Sequence, residues 1–581
     1  MSEPPVKPSR RVHRSEVVAL FLLTTVVGAL SGLGANAFQR SIDFFARHLR
    51  TPAFSAPGVR GVAFAVLLLG ATGLLVGYCI EHWFQYARGS GIPEVKTAYV
   101  ITPGPQVALH TVLGKFVLAA LSIGAGFSLG REGPIVQLSA GIGAAFGRLA
   151  RQPMRVVKSL IAVGAAAGIA AAFNTPVAAV AFALEEIVGD LNRRLLGGIF
   201  VAAVVATAVE RAARGAASPL FVVPAYTLGT WWELIVYAVL GVLCGLWATV
   251  FVKGLLAMRR AVWEWRGVRS RWVKAGLGGV LIGLIGLGWP QVLGIGYGVL
   301  NVGLLGRMSF GTMAALTAVK LAATVISYGW GVSGGIFSPT LFMGGMLGGA
   351  VGHVVQAVVP NATYAVGSFA IVGMSAFFAG AIRAPMTSVL IIFELTGDYA
   401  IILPLMIAST ISYTIASALQ ETPIYDALLE QDGVYLGEHR LRPTLRQATV
   451  EEVMMDRVAT ATAREPAGVV ARRLRELSLA ALPVVDDQGR LEGLITREAL
   501  AGVADSDPRP VGVLASTAVP VISTEQTLDF AIFQLGRHGL REAPVVEPDH
   551  PNRVVGMLSL DDIARGVVTL RGTPEAPLSR D

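Results

Sequence analysis

Residues 115–134 read KFVLAALSIGAGFSLGREGP, and residues 320–339 read KLAATVISYGWGVSGGIFSP. A shift of 205 positions places Lys115 on Lys320, Ser122 on Ser327, Gly124 on Gly329, Gly126 on Gly331, Ser128 on Ser333, Gly130 on Gly335 and Pro134 on Pro339. The same shift pairs Gly143 with Gly348 and Gly147 with Gly352. Further on, a shift of 209 pairs Gly164 with Gly373, Pro176 with Pro385 and Glu185 with Glu394. Apolar segments resemble one another by composition, so matched leucines would carry little weight. The matches here are the rare residues that interrupt apolar runs, in order and with one small slip. The chain therefore carries two copies of one unit, at roughly 15–215 and 225–420.

Composition identifies the solvent around these units. Of 581 residues, 53% are apolar and 15% are charged, and the mean hydropathy is +0.61. Soluble domains carry about 25% charged residues. Long apolar stretches fill the chain from about Val17 to about Ala418, which is a membrane composition. The 67 glycines cluster inside those stretches. Irregular backbone at membrane depth is tolerated only where protein buries it or a wet cavity borders it, so frequent breaks favour a transporter or channel over an anchor. Paired halves with Gly- or Pro-broken segments at corresponding places put a binding site near the midplane.

Lys7, Arg10, Arg11 and Arg14 precede the first apolar run and predict a cytoplasmic N-terminus, 1–14. Arg10 to Arg14, the apolar run and Ala35-Asn36-Ala37 together have the outline of a cleavable leader. The length of the run and the many spans after it favour retention. The net charge of +8 comes with no basic stripe or nucleic-acid motif, so nucleic acid is not an expected partner. Cys79 and Cys244 sit in apolar surroundings and suggest neither a disulfide framework nor a metal site. No catalytic triad spacing, metal-ligand cluster or Walker-type loop is present, which argues against an enzyme and against ATP-driven pumping.

Composition changes near Tyr425. A membrane domain at 15–432 is followed by a linker at 433–446, two soluble α/β modules at 447–508 and 509–570, and a tail at 571–581. Ala481-Leu482-Pro483-Val484-Val485 recurs as Glu542-Ala543-Pro544-Val545-Val546. Each is followed by a second strand (Leu491 to Thr496; Val554 to Ser559) and preceded by a helical stretch near 465–478 or 527–538. Units of about 60 residues must pack together to gain a sufficient core.

Moving an anion through hydrocarbon requires stabilising dipoles without a permanent charge that would trap it. Helix N-termini supply unpaired N–H groups, and glycine lets the backbone approach closely. Three segments have that form: Gly89-Ser90-Gly91-Ile92-Pro93, Gly130-Arg131-Glu132-Gly133-Pro134 and Gly334-Gly335-Ile336-Phe337-Ser338-Pro339. Glu132 is a carboxylate in an apolar, Gly-rich setting, and ionisable residues at such depth are functional by default. Desolvation favours its neutral form and flanking N–H dipoles favour its anion, so it can occupy an anion site when charged and leave it when protonated. The bland alternative is a structural ion pair with Arg131.

In this order and at these separations, the three strings resemble the signatures of the CLC family of chloride channels and chloride/proton exchangers, prokaryotic type. The tail is similar to the paired CBS domains that many members carry. The resemblance implies an all-α polytopic membrane fold of two inverted repeats with tilted, broken helices, an α/β CBS pair on the cytoplasmic side, and a homodimer with one pore per subunit in the cell (inner) membrane. It implies that the Ser90 and Tyr425 hydroxyls and the Ile336 and Phe337 amides hold chloride. Gly89, Gly91, Gly130, Arg131, Gly133 and Gly335 then shape the path, and Glu132 gates it. Serine at 90 resembles the chloride-preferring members, proline there being associated with nitrate. Taken alone, Ser90 reads as a turn or helix cap and Tyr425 as an interfacial anchor.

By the same resemblance Glu186 matches the intracellular proton-transfer glutamate of the exchangers; alone it reads as a solvated helix end. Its neighbour Glu185, aligned with Glu394, reads as structural. Lys115 and Lys320 either add positive potential or hold helices together, the latter preferred. In the tail, Ser559 and Asp562 resemble the CBS ribose contact. The first module has Ala499 where that pattern needs Asp, so one adenine-nucleotide site is the most the tail supports, with purely structural modules as the open alternative. No cofactor is required. The preferred reading is secondary active chloride/proton exchange. A passive proton- or voltage-gated chloride channel is the alternative, and a nucleotide sensor is the rival from another class.

Overall fold

A computed structural model describes residues 14–100, 104–189, 193–214, 221, 232–359, 366–434, 445, 448–456, 458–477, 479–517, 519–548 and 550–569. Lys7, Arg10 and Arg11, most of the expected linker and the tail at 571–581 lie outside them. The chain divides into two units, Met1–Tyr435 and Leu436–Asp581.

In the first unit α1 (Arg14–Phe45) passes through a π-helical turn into short α2 (Thr51–Ser55), followed by α3 (Gly58–His82). The first half continues with α4 (Ile92–Val100), α5 (Leu109–Ala125), α6 (Glu132–Leu149), α7 (Met154–Phe173), α8 (Pro176–Phe182) and α9 (Arg193–Arg214). The second half has α10 (Glu233–Glu264), α11 (Arg271–Gly288), α12 (Tyr297–Leu304), α13 (Phe310–Gly329) and α14 (Phe337–Val358). After these come α15 (Val366–Ile382), α16 (Pro385–Thr396) and α17 (Ile402–Leu419), and α18 (Ile424–Gln431) closes the unit. Among the described residues, nine helical segments are long and apolar enough to cross a membrane.

The punctuation shared by the repeats sits where the helices break. Gly126 ends α5 with φ +129°, and its counterpart Gly331 follows α13 with φ +92°, a conformation that disfavours other residues. Pro176 and Pro385 each occupy the first turn of a helix, α8 and α16, where the missing N–H is not needed. Gly143 lets α6 lie on α7: a Cβ there would stand 2.0 Å from the Leu160 carbonyl oxygen. Its counterpart Gly348 does the same for α14 on α15, with 2.1 Å to the Phe369 oxygen. Small residues at helix crossings are the usual way membrane helices approach closely.

The direction of the halves follows from two carboxylates. Glu185, just beyond α8, accepts from the Met386 and Thr387 amides at the start of α16 (3.2 and 2.8 Å). Glu394, near the end of α16, accepts from the Val177 and Ala178 amides at the start of α8 (3.0 and 2.7 Å). Each helix end caps the other's beginning, so α8 and α16 lie antiparallel. Equivalent elements running in opposite directions are what an inverted repeat produces.

The second unit contains two three-stranded sheets of the same design. Ala461–Thr462 pairs parallel with Ala481–Val485, which pairs antiparallel with Leu491–Thr496. Ile522–Ser523, Glu542–Glu547 and His550–Ser559 repeat that order. The helices are Ala467–Glu476, Leu528–His538 and Leu560–Thr569. The cores are interleaved: Val450 packs with Ile522 and Leu528 of the second module, while Val511 packs with Ala461 and Val470 of the first.

Candidate anion pathway

The three Gly-rich segments, far apart in sequence, bind one another. Gly130 and Gly335 exchange both backbone hydrogen bonds at 2.7 Å, and the Gly334 amide donates to the Gly89 oxygen at 2.9 Å. Helices α4, α6 and α14 all start at this knot, at Ile92, Glu132 and Phe337. First-turn amides have no acceptor within their own helix, so three positive helix ends face one region. Ile336 is the N-cap of α14 and Phe337 its first residue, packed against Phe173, Phe182 and Phe378. Glycine is required by space: a Cβ on Gly133 would meet Ser90 Oγ at 2.5 Å, and one on Gly91 the Gly133 oxygen at 2.9 Å.

Ser90 and Tyr425 stand side by side, 1% and 0% exposed. Apart from each other, neither hydroxyl oxygen finds a hydrogen-bond partner among the described residues. Buried polar groups are nearly always paired. Two such donors beside positive helix ends suit a partner that accepts and has no proton of its own, as a halide does.

Glu132 is completely buried at the start of α6. The Tyr297 hydroxyl donates to its Oε1 at 2.6 Å, and the Ser338 hydroxyl donates to Oε2. Tyr297 Oη also lies 3.0 Å from Ser338 Oγ. Arg131 is not its hydrogen-bonding partner. The nearest approach, Nε to Oε1, is 3.7 Å, and the guanidinium is spent on the Ala172 oxygen (2.7 Å) and the Gln39 side chain. The hydrogen bonds to Glu132 thus come from two neutral donors of the other half of the molecule, with Arg131 as a longer ion-pair neighbour.

Glu186 lies in a π-helical turn, Ala183–Val188, rather than at a solvated helix end, and is 6% exposed. Lys96 of α4 reaches its Oε1 at 2.8 Å and Asp426 Oδ1 at 2.7 Å. Tyr425 is within electrostatic reach of both Glu186 and Glu132. Lys115 donates to the Ala87 and Gly89 oxygens (3.1 and 2.5 Å), and Lys320 to the Val292 and Gly294 oxygens (2.9 and 2.8 Å). Both lysines therefore fasten a loop, in equivalent ways in the two halves. Asp432 holds Arg88, next to Gly89, at 2.7 Å, and also pairs with Arg259.

Two cavities flank this centre. One of about 430 Å³ is bordered by Arg40, Asp43, Arg131, Arg214 and Tyr297, an excess of positive charge beside Glu132. The other, about 420 Å³, is bordered by Arg88, Glu94, Thr97, Arg271, Lys274 and Asp432, Arg88 directly preceding the Gly89–Pro93 segment.

In the tail, Ser559 and Asp562 bind each other. Ser559 Oγ donates to Asp562 Oδ2 at 2.6 Å, and the Asp562 amide donates to Ser559 Oγ at 3.0 Å, closing a cap on the helix that follows. Arg565 occupies the other oxygen at 2.6 Å.

Sequence reasoning missed Tyr297, Ser338 as a partner of Glu132, Lys96 and Asp426. Tyr297 follows Gly294 and Gly296, both at positive φ (+66° and +91°), so a broken segment did mark its place.

These features define a multi-pass membrane protein with two inverted halves and an anion-suited centre between them. The chain belongs to the voltage gated chloride channel family, whose profile matches residues 72–417; CBS domain profiles match 450–506 and 511–569. It is 33% identical over 426 residues to the H(+)/Cl(-) exchange transporter ClcA of Vibrio campbellii, covering 71% of this chain and 89% of that one. A Ralstonia nicotianae protein described as a ClcB-like chloride channel protein is 33% identical over 371 residues, covering 63% of this chain and 86% of that one. Among solved structures, a slow cyanobacterial Cl-/H+ antiporter is 26% identical with a TM-score of 0.65, covering 72% of this chain and 99% of that one. A eukaryotic CLC transporter, 18% identical, shares the fold with a TM-score of 0.63, covering 94% of this chain and 98% of that one.

Proposed function

We propose that the protein exchanges chloride for protons across a cell membrane, with Glu132 serving both ions and Glu186 passing protons to it. The observation that carries this is the placing of two buried carboxylates within reach of Tyr425, itself beside Ser90. Chloride rests between the Ser90 and Tyr425 hydroxyls and the Ile336 and Phe337 amides. Charged Glu132 blocks the way toward the positive cavity. A proton arriving from Glu186 neutralises it, weakens the acceptor end of its bonds to Tyr297 and Ser338, and lets chloride pass. The names of the relatives, exchange transporters among them, support the same ion pair.

Apolar side chains as exposed as Leu67 (68%), Val59 (85%) and Val358 (73%) favour lipid as the surrounding medium. In this reading the protein is a homodimer in the cell membrane, with its N-terminus and tail in the cytoplasm. The tail stabilises or regulates the transporter; the engagement of both Asp562 oxygens favours a structural role over nucleotide binding. A passive channel on the same scaffold is the second reading, favoured by the relative described as a channel protein.

Purified protein in liposomes under an outward chloride gradient, with no proton gradient, separates the two. Exchange predicts proton movement against its own potential, driven by chloride. Chloride current reversing at the pure chloride potential, with no proton movement, refutes exchange and selects the channel.

A further inference from the structure

We propose that Asp426 keeps Glu186 able to accept protons by competing with it for Lys96. This rests on the reading of Glu186 as the proton carrier. Lys96 Nζ lies between the two carboxylates, 2.8 Å from Glu186 and 2.7 Å from Asp426. The charged or titratable groups within reach of Glu186 among the described residues are Lys96 of α4, Asp426 and Tyr425 of α18, and the adjoining Glu185. The Glu185 carboxylate is already spent on the first amides of α16.

Lys96, Glu186 and Asp426 therefore count two negative charges against one positive. A poorly solvated group of three with one excess negative charge becomes neutral on taking up a single proton. The choice of which carboxylate takes it follows from position. Asp426 is in the first turn of α18, where the helix dipole favours an anion, and its side chain is 26% exposed. The Glu186 side chain is 5% exposed. The proton therefore goes to Glu186, and Lys96 keeps Asp426 as its partner.

Without Asp426 the balance reverses. Lys96 and Glu186 form a closed, neutral pair, and a proton on Glu186 leaves a buried ammonium without a partner. Asp426 is thus a positioning residue, acting on the proton through Lys96, and its own contact with the chloride path is not required.

The test is the proton-to-chloride ratio in liposomes measured across pH. Asp426→Asn is expected to lose coupling near neutral pH and regain it only at a proton concentration raised about tenfold or more, one pH unit or beyond. Asp426→Glu keeps the wild-type profile. The double variant Lys96→Met/Asp426→Asn leaves Glu186 without a closed ion pair and recovers coupling relative to Asp426→Asn alone. A wild-type pH profile in Asp426→Asn overturns the proposal, as does a double variant no better than the single one. Glu186→Gln is run alongside. Retained coupling there refutes the role of Glu186 itself, whatever the Asp426 variants do; lost coupling there with an unaltered Asp426→Asn profile refutes only the role of Asp426.

Discussion

Replacing Tyr297 with phenylalanine isolates the force that holds Glu132 in place. The ring keeps its edge contact with Phe221 (5.1 Å) and its position under the Arg131 guanidinium (5.7 Å), so packing changes little. Only the hydroxyl donated to Glu132 Oε1 at 2.6 Å is lost. A hydrogen bond to a charged group contributes about 1.5–3 kcal/mol. That bond favours the charged, seated carboxylate over the neutral, released one, so its loss shifts the balance toward protonation and release. At about 1.36 kcal/mol per pH unit, the pH at which chloride efflux is half-maximal should rise by roughly one to two units. Efflux from liposomes, followed with a chloride electrode from acid to alkaline pH, reads the shift directly. A profile superimposable on that of the unaltered protein would show that the hydroxyl does not restrain Glu132, and the latch described here would be wrong.

Three further outcomes follow from the same contacts. Glu185→Ala strands the Met386 and Thr387 amides and should lower stability by about 0.5–2 kcal/mol. Thermal unfolding in detergent checks this, with proton coupling retained in contrast to Glu186→Gln. Gly143→Ala drives a methyl group into the Leu160 carbonyl, and Gly348→Ala drives one into that of Phe369. Each should cost about 1–3 kcal/mol, visible as a lower midpoint of unfolding, and equal loss in the two variants is expected from their equivalent crossings. Asp562→Ala removes the capping partner of Ser559 and should destabilise the tail by about 0.5–2 kcal/mol, read as a lower tail transition by calorimetry.

The repeat was legible because the two halves break their helices at corresponding places, and Gly and Pro are the residues that most readily mark such breaks. Gly126 with Gly331 and Pro176 with Pro385 are such places. Inversion was not legible, since equal spacing is the same for parallel and antiparallel copies; it took the crossed caps of Glu185 and Glu394 to decide it. Glu132 announced itself as a carboxylate in an apolar run. Its partners did not, because Tyr297 lies 165 positions away and the sequence pattern around it carries no charge. Lys96 carried no signal in the sequence pattern, lying 90 positions from Glu186. The alternative of a structural ion pair with Arg131 survives only as a 3.7 Å contact, since the guanidinium donates to the Ala172 oxygen. In the tail, the strands were legible from the recurring runs at Ala481–Val485 and Glu542–Val546, whereas the exchange of Val450 and Val511 between cores left no local signature.

The central claim is that one carboxylate, Glu132, serves both chloride and protons. Simultaneous recording of chloride and proton flux in liposomes carrying Glu132→Ala tests it most directly. Chloride should still move, without proton movement and without dependence on pH. Proton transport that stays coupled to chloride in this variant would contradict the account.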